Sequence, residues 1–336
     1  MQINRAELEK ALAVVKPGLA AKDIVEQSTS FAFLGKSVVT YNDEISLSCP
    51  IKGMEIEGAI EAEQLFQFLR KVKKEEIDIE VDGEEILFKS GRIRAGFTLQ
   101  TEILLPLKEV SKRKKWLDVP DDFCHYLSLA MGAAGNDMSE PLLTGVNVAK
   151  DGGMMGSDNY KVMICDTGQE LPIDTFLIPA TSAVEVIKIK PTKMAQSGGW
   201  VHFQNEEKAI LSCRVFAEPY PNADKKLEVI GIDLQFPSTI NETLDRASVF
   251  AKRGYMLDES VDISIAKNRI KVKAKSDTSW IEEELNLKYS GDPINFTITP
   301  YLLRDILHET QSFVLGERAL QFKGAGWTYI TALRDS

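Results

Sequence analysis

A pattern of twelve residues that occurs three times constrains this chain more than any other feature. Phe296-Thr-Ile-Thr-Pro-Tyr-Leu-Leu-Arg-Asp-Ile-Leu307 reads as a strand running into a helix. Phe296 and Ile298 alternate along one strand face, Pro300 is pre-set for a first helical turn, and Leu303, Ile306 and Leu307 share a helical face. Phe176-Leu-Ile-Pro-Ala-Thr-Ser-Ala-Val-Glu-Val-Ile187 and Gly58-Ala-Ile-Glu-Ala-Glu-Gln-Leu-Phe-Gln-Phe-Leu69 align with it without a gap. Their shared isoleucines, Ile60, Ile178 and Ile298, lie 118 (178 − 60) and 120 (298 − 178) residues apart. A period this long indicates duplicated domains rather than a solenoid. It predicts three of them, over 1–112, 113–230 and 231–336.

Local patterns fill in each domain. Asn4 and Glu7 have capping-box spacing before a helix with Leu8, Ala11, Leu12 and Val15 on one face. A second helix is expected over Glu61 to Lys74, facing inward through Ala62, Leu65, Phe66, Leu69 and Val72. Ile77, Ile79 and Val81 alternate up to Asp82-Gly83, and Ile86 and Phe88 alternate away, which is a hairpin signature. After the basic run Ser111-Lys-Arg-Lys-Lys115, read as a linker, the plan restarts. Pro120-Asp121-Asp122 opens a helix facing inward through Phe123, Tyr126, Leu127, Ala130 and Met131. Pro219-Tyr220-Pro221-Asn222 reads as a second connector. A helix from Ser238 to Arg253 then buries Ile240, Leu244, Ala247 and Ala251, and a hairpin turns at Lys267-Asn268. Two helices and several short strands per domain give an α+β plan, antiparallel sheet with helices on one side.

Groups for catalysis are sparse. The three histidines are far apart in sequence, His125 and His202 in the second predicted domain and His308 in the third, and no phosphate-loop, nucleophile-elbow or zinc-protease motif is present. Gly152-Gly153 and Ser197-Gly198-Gly199 fit hairpin turns. Glu282, Glu283 and Glu284 are consecutive, so on a strand they point to alternate faces and cannot converge on a metal. The four cysteines, Cys49, Cys124, Cys165 and Cys213, lack metal-ligand spacing and read as reduced thiols of a cytoplasmic protein. No run reaches membrane-spanning length, and the first residues lack a signal-peptide core. The reading is therefore a non-enzyme without cofactor or metal.

Charge points elsewhere. The chain carries 40 Lys and Arg against 50 Asp and Glu, a formal −10, which argues against nonspecific nucleic-acid binding by the whole surface. Yet basic residues recur at the helices: Lys10, Lys16 and Lys22 with the first, Arg70, Lys71, Lys73 and Lys74 at the end of the second, Lys188, Lys190 and Lys193 after the fourth, and Arg246, Lys252 and Arg253 with the fifth. Cations complement helix C-termini, which explains any single cluster. Recurrence over four of six predicted helices gives, if the helices share a side, a basic face suited to phosphates without base reading.

In its last third especially, the chain resembles the bacterial DNA polymerase III beta subunit, the sliding clamp. The resemblance rests on Arg246-Ala-Ser-Val-Phe250, on Glu282–Glu284 before Tyr289-Ser-Gly291, and on the strand-to-helix unit in the family's order. Thr40-Tyr-Asn-Asp-Glu-Ile-Ser46, Leu143-Thr-Gly-Val146 and Ser157-Asp-Asn-Tyr-Lys-Val162 are similar to the family's stretches at corresponding places. The chain is short for that family, which suits a divergent or phage member.

The resemblance implies a head-to-tail homodimer whose six domains close a ring around double-stranded DNA, with lumen residues Lys10, Lys16, Lys22, Arg70, Lys71, Lys73, Lys74, Lys188, Lys190, Arg246, Lys252 and Arg253. It implies dimer contacts at Val249 and Phe250. It also implies a pocket for peptides of the replicative polymerase and the clamp-loader ATPase, formed by Ser157, Asn159, Tyr160, Lys161, Val162, Pro221, Leu234, Tyr255, Tyr329, Ile330 and Ala332. The family's Gly-His-Arg-Leu and Met-Pro-Met-Arg-Leu segments are replaced here by Asn159-Tyr-Lys-Val162 and Ile330-Thr-Ala-Leu-Arg-Asp-Ser336, so the preferred peptide differs. The function expected is a processivity factor. The rival is an adaptor of the same fold that binds polymerase peptides without encircling DNA.

Overall fold

A computed structural model describes residues 1–23, 25–110, 115–221 and 227–334. Ser111–Lys114 of the expected linker, Asn222 of the expected connector and the final Asp335 and Ser336 lie outside them. The chain is α+β, and the described strands pair antiparallel.

The strand-to-helix unit is the recurring piece. Ile56–Glu61 runs directly into helix Ala62–Lys71, Phe176–Pro179 into Ala180–Ile189, and Ile294–Ile298 through Pro300 into the short helix Tyr301–Arg304. Ile60, Ile178 and Ile298 are buried in all three. Between them lies a second set: Gln2–Asn4 before Arg5–Val15, Leu117–Asp118 before Phe123–Ala133, and Ile232–Gln235 before Ile240–Ala251. Caps account for the boundaries. Asn4 Oδ1 accepts from the amides of Ala6 (2.9 Å) and Glu7 (3.1 Å), and Glu61 serves as a cap for Glu63 and Gln64. The second helix therefore begins at Ala62 and ends at Lys71, where Val72 turns extended, short of the expected Lys74. The third copy is interrupted: Asp305 separates Tyr301–Arg304 from Ile306–Glu309, although Leu303, Ile306 and Leu307 are all buried as expected.

Two compact units divide the chain, one of Met1–Cys124 with Leu171–Glu218, the other of His125–Glu170 with Pro219–Ser336. In the first, an eight-stranded sheet takes its strands in the order Ile56–Glu61, Ser30–Gly35, Ser37–Tyr41, Ile45–Pro50, Ile210–Arg214, Trp200–Gln204, Lys193–Ser197 and Leu117–Asp118. One face packs on helices through Leu8, Leu12, Leu65 and the rings of Phe123, Phe176 and Phe203. The other is covered by a strap in which Leu105 and Val110 pack on Tyr41 and Trp200. The expected turn at Ser197-Gly198-Gly199 joins two of these strands, and His202 is buried between the hydroxyls of Ser197 (2.8 Å) and Ser212 (2.7 Å). A four-stranded sheet, in the order Gln2–Asn4, Glu76–Asp82, Glu85–Ser90, Ile93–Thr98, completes the unit.

The second unit repeats the plan. Its large sheet runs Ile232–Gln235, Ser312–Leu315, Ala319–Gly324, Trp327–Ala332, Lys161–Asp166, Gly153–Ser157, Gly145–Val148. A row of facing side chains, Leu234, Phe313, Phe322, Tyr329 and Met163, crosses five of these strands and forms the core. Gly156 is required here: a Cβ on it would lie 2.0 Å from the carbonyl oxygen of Ala130. The four-stranded sheet runs Trp280–Asn286, Arg269–Lys275, Val261–Ala266, Ile294–Ile298. Its hairpin turns at Lys267 and Asn268, both at positive φ.

Candidate functional site

The basic residues singled out in the sequence fall into two groups by their partners. In the first unit, helices Arg5–Val15 and Ala62–Lys71 pack antiparallel: the Lys16 ammonium lies 4.7 Å from the centre of the Phe66 ring, and Arg5 reaches the carbonyl of Leu69 (3.5 Å). Lys16 thus sits at one end of the pair and Arg70 and Lys71 at the other, with Lys73 and Lys74 just beyond; these and Lys22, in the loop after the first helix, are exposed. Among the described residues these six make no ion pair, nor do Lys190 and Lys252. The other four are engaged. Lys10 pairs with Glu207 (2.5 Å), which raises its pKa, and Lys188 pairs with Glu185 (2.7 Å). Arg246 grips Glu283 through Nε (2.9 Å) and Nη2 (2.7 Å). Arg253 donates to the carbonyls of Ala251, Lys252 and Lys275, closing the end of helix Ile240–Ala251.

The residues implied for a peptide pocket divide between the two faces of the second unit's large sheet. Ser157, Val162 and Ile330 face one another across three strands, and Ala332 follows Ile330 on the same side. Lys161 and Tyr329 point through to the opposite face. The Lys161 ammonium donates to the carbonyl of Gly132 (2.9 Å) and lies 5.2 Å from the Tyr301 ring centre, and the Tyr329 hydroxyl donates to the carbonyl of Leu302. They border a cavity of about 330 Å³ with Met131, Met163, Asp305 and Glu309. Asn159 and Tyr160 form the tip of the turn joining Gly153–Ser157 to Lys161–Asp166; Asn159 has a left-handed backbone (φ 72°) and bonds Glu140 (2.7 Å), and Tyr160 is exposed. Leu234 belongs to the core row, three strands from Tyr329, and is not brought to the Ile330 face. Tyr255 is 78% exposed beyond the end of helix Ile240–Ala251, and Pro221 is exposed beside Tyr220, whose ring lies near Ser157 and Asp158.

Val249 and Phe250 lie off the buried stripe of their helix; Val249 is 72% exposed and Phe250 half-buried. Sequence reasoning did not single out their surroundings. Each four-stranded sheet leaves one long edge strand, Ile93–Thr98 in the first unit and Trp280–Asn286 in the second, with no further strand beside it among the described residues. Arg94 stands exposed on the first and Arg92 in the turn just before it; Trp280, Glu282 and Glu284 line the solvent face of the second. Alternation announces such strands, but nothing in it says which will lack a neighbour. Glu283, as the spacing required, turns to the other face and bonds Thr243 (2.9 Å) and Arg246.

No helix among the described residues is long and apolar enough to cross a membrane. No family model matches the sequence, and no curated protein matches it. Solved structures do match, from end to end. The DNA polymerase III subunit beta of Pseudomonas aeruginosa superimposes with a TM-score of 0.85 at 15% identity, each chain covered completely. The beta subunit from Streptococcus pyogenes DNA polymerase gives 0.85 at 16%, covering 100% of this chain and 99% of that one. The sliding clamp of Bacillus subtilis gives 0.83 at 16%, covering 100% and 98%. The chain therefore has the fold of the DNA polymerase III beta subunits, the DNA polymerase sliding clamps.

Proposed function

We propose that this chain is a DNA sliding clamp, a processivity factor that closes as a homodimer around duplex DNA and tethers a replicative polymerase. On this reading the chain comprises three clamp domains, 1–112, 113–230 and 231–336, each with two of the six strand-to-helix units. The observation that carries the reading is the pair of unfinished sheets. Two four-stranded sheets each expose a long antiparallel edge, an arrangement that folded proteins rarely leave uncovered. One edge is basic (Arg92, Arg94) and the other acidic (Glu282, Glu284), so each complements the other's counterpart in a second copy. Two such junctions related by a twofold axis close a ring. Val249 and Phe250 supply apolar contact beside the acidic edge.

Within the ring, Lys16, Lys22, Arg70, Lys71, Lys73, Lys74, Lys190 and Lys252 are the cations free to meet phosphates, and Lys10, Lys188, Arg246 and Arg253 do so only by sharing or exchanging their partners. Backbone contacts of this kind hold DNA without sequence preference, so the ring slides. The acidic remainder of the surface keeps DNA to the lumen. Partner peptides, including those of a clamp-loader ATPase that opens the ring, dock on the face of Val162, Ile330 and Ala332. The chain itself catalyses nothing on this reading and works in the cytoplasm.

Solution mass and retention on DNA test this together. A mass near twice 37.4 kDa, with protein loaded on nicked circular DNA lost when the circle is linearised, is the expected result. A concentration-independent monomer that still binds polymerase peptides overturns the ring and leaves the non-encircling adaptor.

A further inference from the structure

The turn that presents Asn159 and Tyr160 is held from behind by a buried polar group that spans three elements. Asp158 is its hub. One carboxylate oxygen accepts from the amides of Tyr160 (3.0 Å) and Lys161 (2.9 Å), and the other accepts from the Tyr301 hydroxyl (3.0 Å) and lies 4.0 Å from the Lys161 ammonium. Ser157 closes the turn by donating to the Lys161 carbonyl (2.8 Å). The Lys161 side chain, 8% exposed, crosses to the carbonyl of Gly132 in the last turn of helix Phe123–Ala133, where a cation also complements the helix dipole. The Tyr301 ring lies beside its ammonium. Burial lowers the Lys161 pKa, and the carboxylates of Asp158 and Asp305 oppose that shift. On the other side of the same turn, the Tyr160 carbonyl accepts from the amide of Ala332 (2.8 Å). The turn therefore connects the buried group directly to the strand that carries Ile330 and Ala332.

We propose that Asp158, Lys161 and Tyr301 form an internal strut that positions the Ser157–Lys161 turn and the outer face of Val162, Ile330 and Ala332, without touching what docks there. The strut ties that face to helix Tyr301–Arg304 and helix Phe123–Ala133, two elements on the far side of the sheet. It makes Lys161 a positioning residue rather than a lining one. Removing one member leaves the other buried charge or hydroxyl without its partner, which loosens the turn. The docking role of the face rests on the function proposed above; the strut itself does not.

Residue-resolved hydrogen exchange on the full chain, comparing wild type with Tyr301→Phe and Lys161→Met, separates the two. Tyr301→Phe keeps the ring and deletes only the hydroxyl, so it preserves packing where Lys161→Met fails to fold. Amides of Tyr160, Lys161 and Ala332 are expected to exchange at least tenfold faster, with the core-row amides of Phe322 and Met163 unchanged. Unchanged exchange at the turn, or an equal rise everywhere, overturns the strut. A peptide selected by display on the wild-type chain and counter-selected against Val162→Glu then reads the docking role. Its dissociation constant should rise at least fivefold in Tyr301→Phe, and by less when that change is made in the Lys161→Met background. Failure to select any such peptide counts against the docking face alone, while the exchange result still decides the strut.

Discussion

The two four-stranded sheets share one antiparallel plan and differ in chemistry. In each, a three-stranded meander has a fourth strand beside its first, supplied by Gln2–Asn4 ahead of the meander in one and by Ile294–Ile298 after it in the other. In the first unit, helix Ala62–Lys71 docks through an aromatic cluster: Phe68, Phe88 and Phe97 meet edge to face with ring centres 5.4–6.1 Å apart. In the second, helix Ile240–Ala251 docks on Ile263, Ile265, Ile270, Val272 and Ala274, and the contact is sealed at its margin by Arg246 and Glu283. The outer faces differ as well. Glu282 and Glu284 pair across the strands with Lys271 (2.9 and 3.3 Å), and Glu284 with Arg269 (2.8 Å), so cations on the edge of a second copy would share these carboxylates with the sheet's own. Arg92 and Arg94 have no ion pair among the described residues. A shared alternation of buried and exposed positions thus accompanies the same antiparallel meander, while the residues filling it decide stability and what each edge offers a partner.

The largest effect expected from breaking this contrast is in the cores. Phe88→Ala removes the centre of the aromatic cluster and should cost about 3–5 kcal/mol in chemical denaturation. Val272→Ala, its counterpart in the aliphatic sheet, should cost about 2 kcal/mol. Equal costs would mean that the rings contribute no more than the aliphatic packing they replace. Next come the edges. Replacing Arg92 and Arg94 together by Glu puts like charges against the acidic edge of a second copy and should weaken self-association roughly 100-fold by sedimentation. Adding Glu284→Lys should recover part of that loss. An unchanged dissociation constant would show that these edges do not meet.

Much of this was legible before any coordinates. The three strand-to-helix units, the alternate facing of Glu282–Glu284, the exposure of Val249 and the hairpin at Lys267-Asn268 follow from periodicities of two and 3.6, which act over a few residues. Helix ends were less legible, because Glu61 as a cap and the break at Asp305 depend on side-chain and tertiary choices. The candidate sites were least so. Val162 and Lys161 are adjacent in sequence and face opposite sides of a sheet, yet a resemblance by position assigns both to one pocket. Leu234 reads as a pocket residue until the order of the strands places it in a core row. Strand order and the identity of unpaired edges are long-range facts, and no local window contains them.

The smallest effect is an acid titration, and it bears on Arg246, which is at once a sealing residue of the second sheet and a candidate DNA contact. The Glu283 carboxyl is held below its ordinary 4.5, first by the hydrogen bond from Arg246 and then by that from Thr243, with burial opposing. Because the folded value lies below the unfolded one, this contribution is complete above about pH 4.5 and is lost as pH falls through the folded value. Both groups are partly exposed, so solvent and salt screen the pair and the loss is modest. Glu283→Gln should therefore lower the second unit's stability modestly at neutral pH and leave it nearly unchanged in acid, which flattens the acid limb. It should also free the guanidinium. If Arg246 meets phosphate, the same variant should bind duplex DNA slightly more tightly at low salt, with the gain abolished by Arg246→Ala. If DNA affinity does not move in either variant, Arg246 serves the sheet alone, and the cations that meet DNA are those without acidic partners.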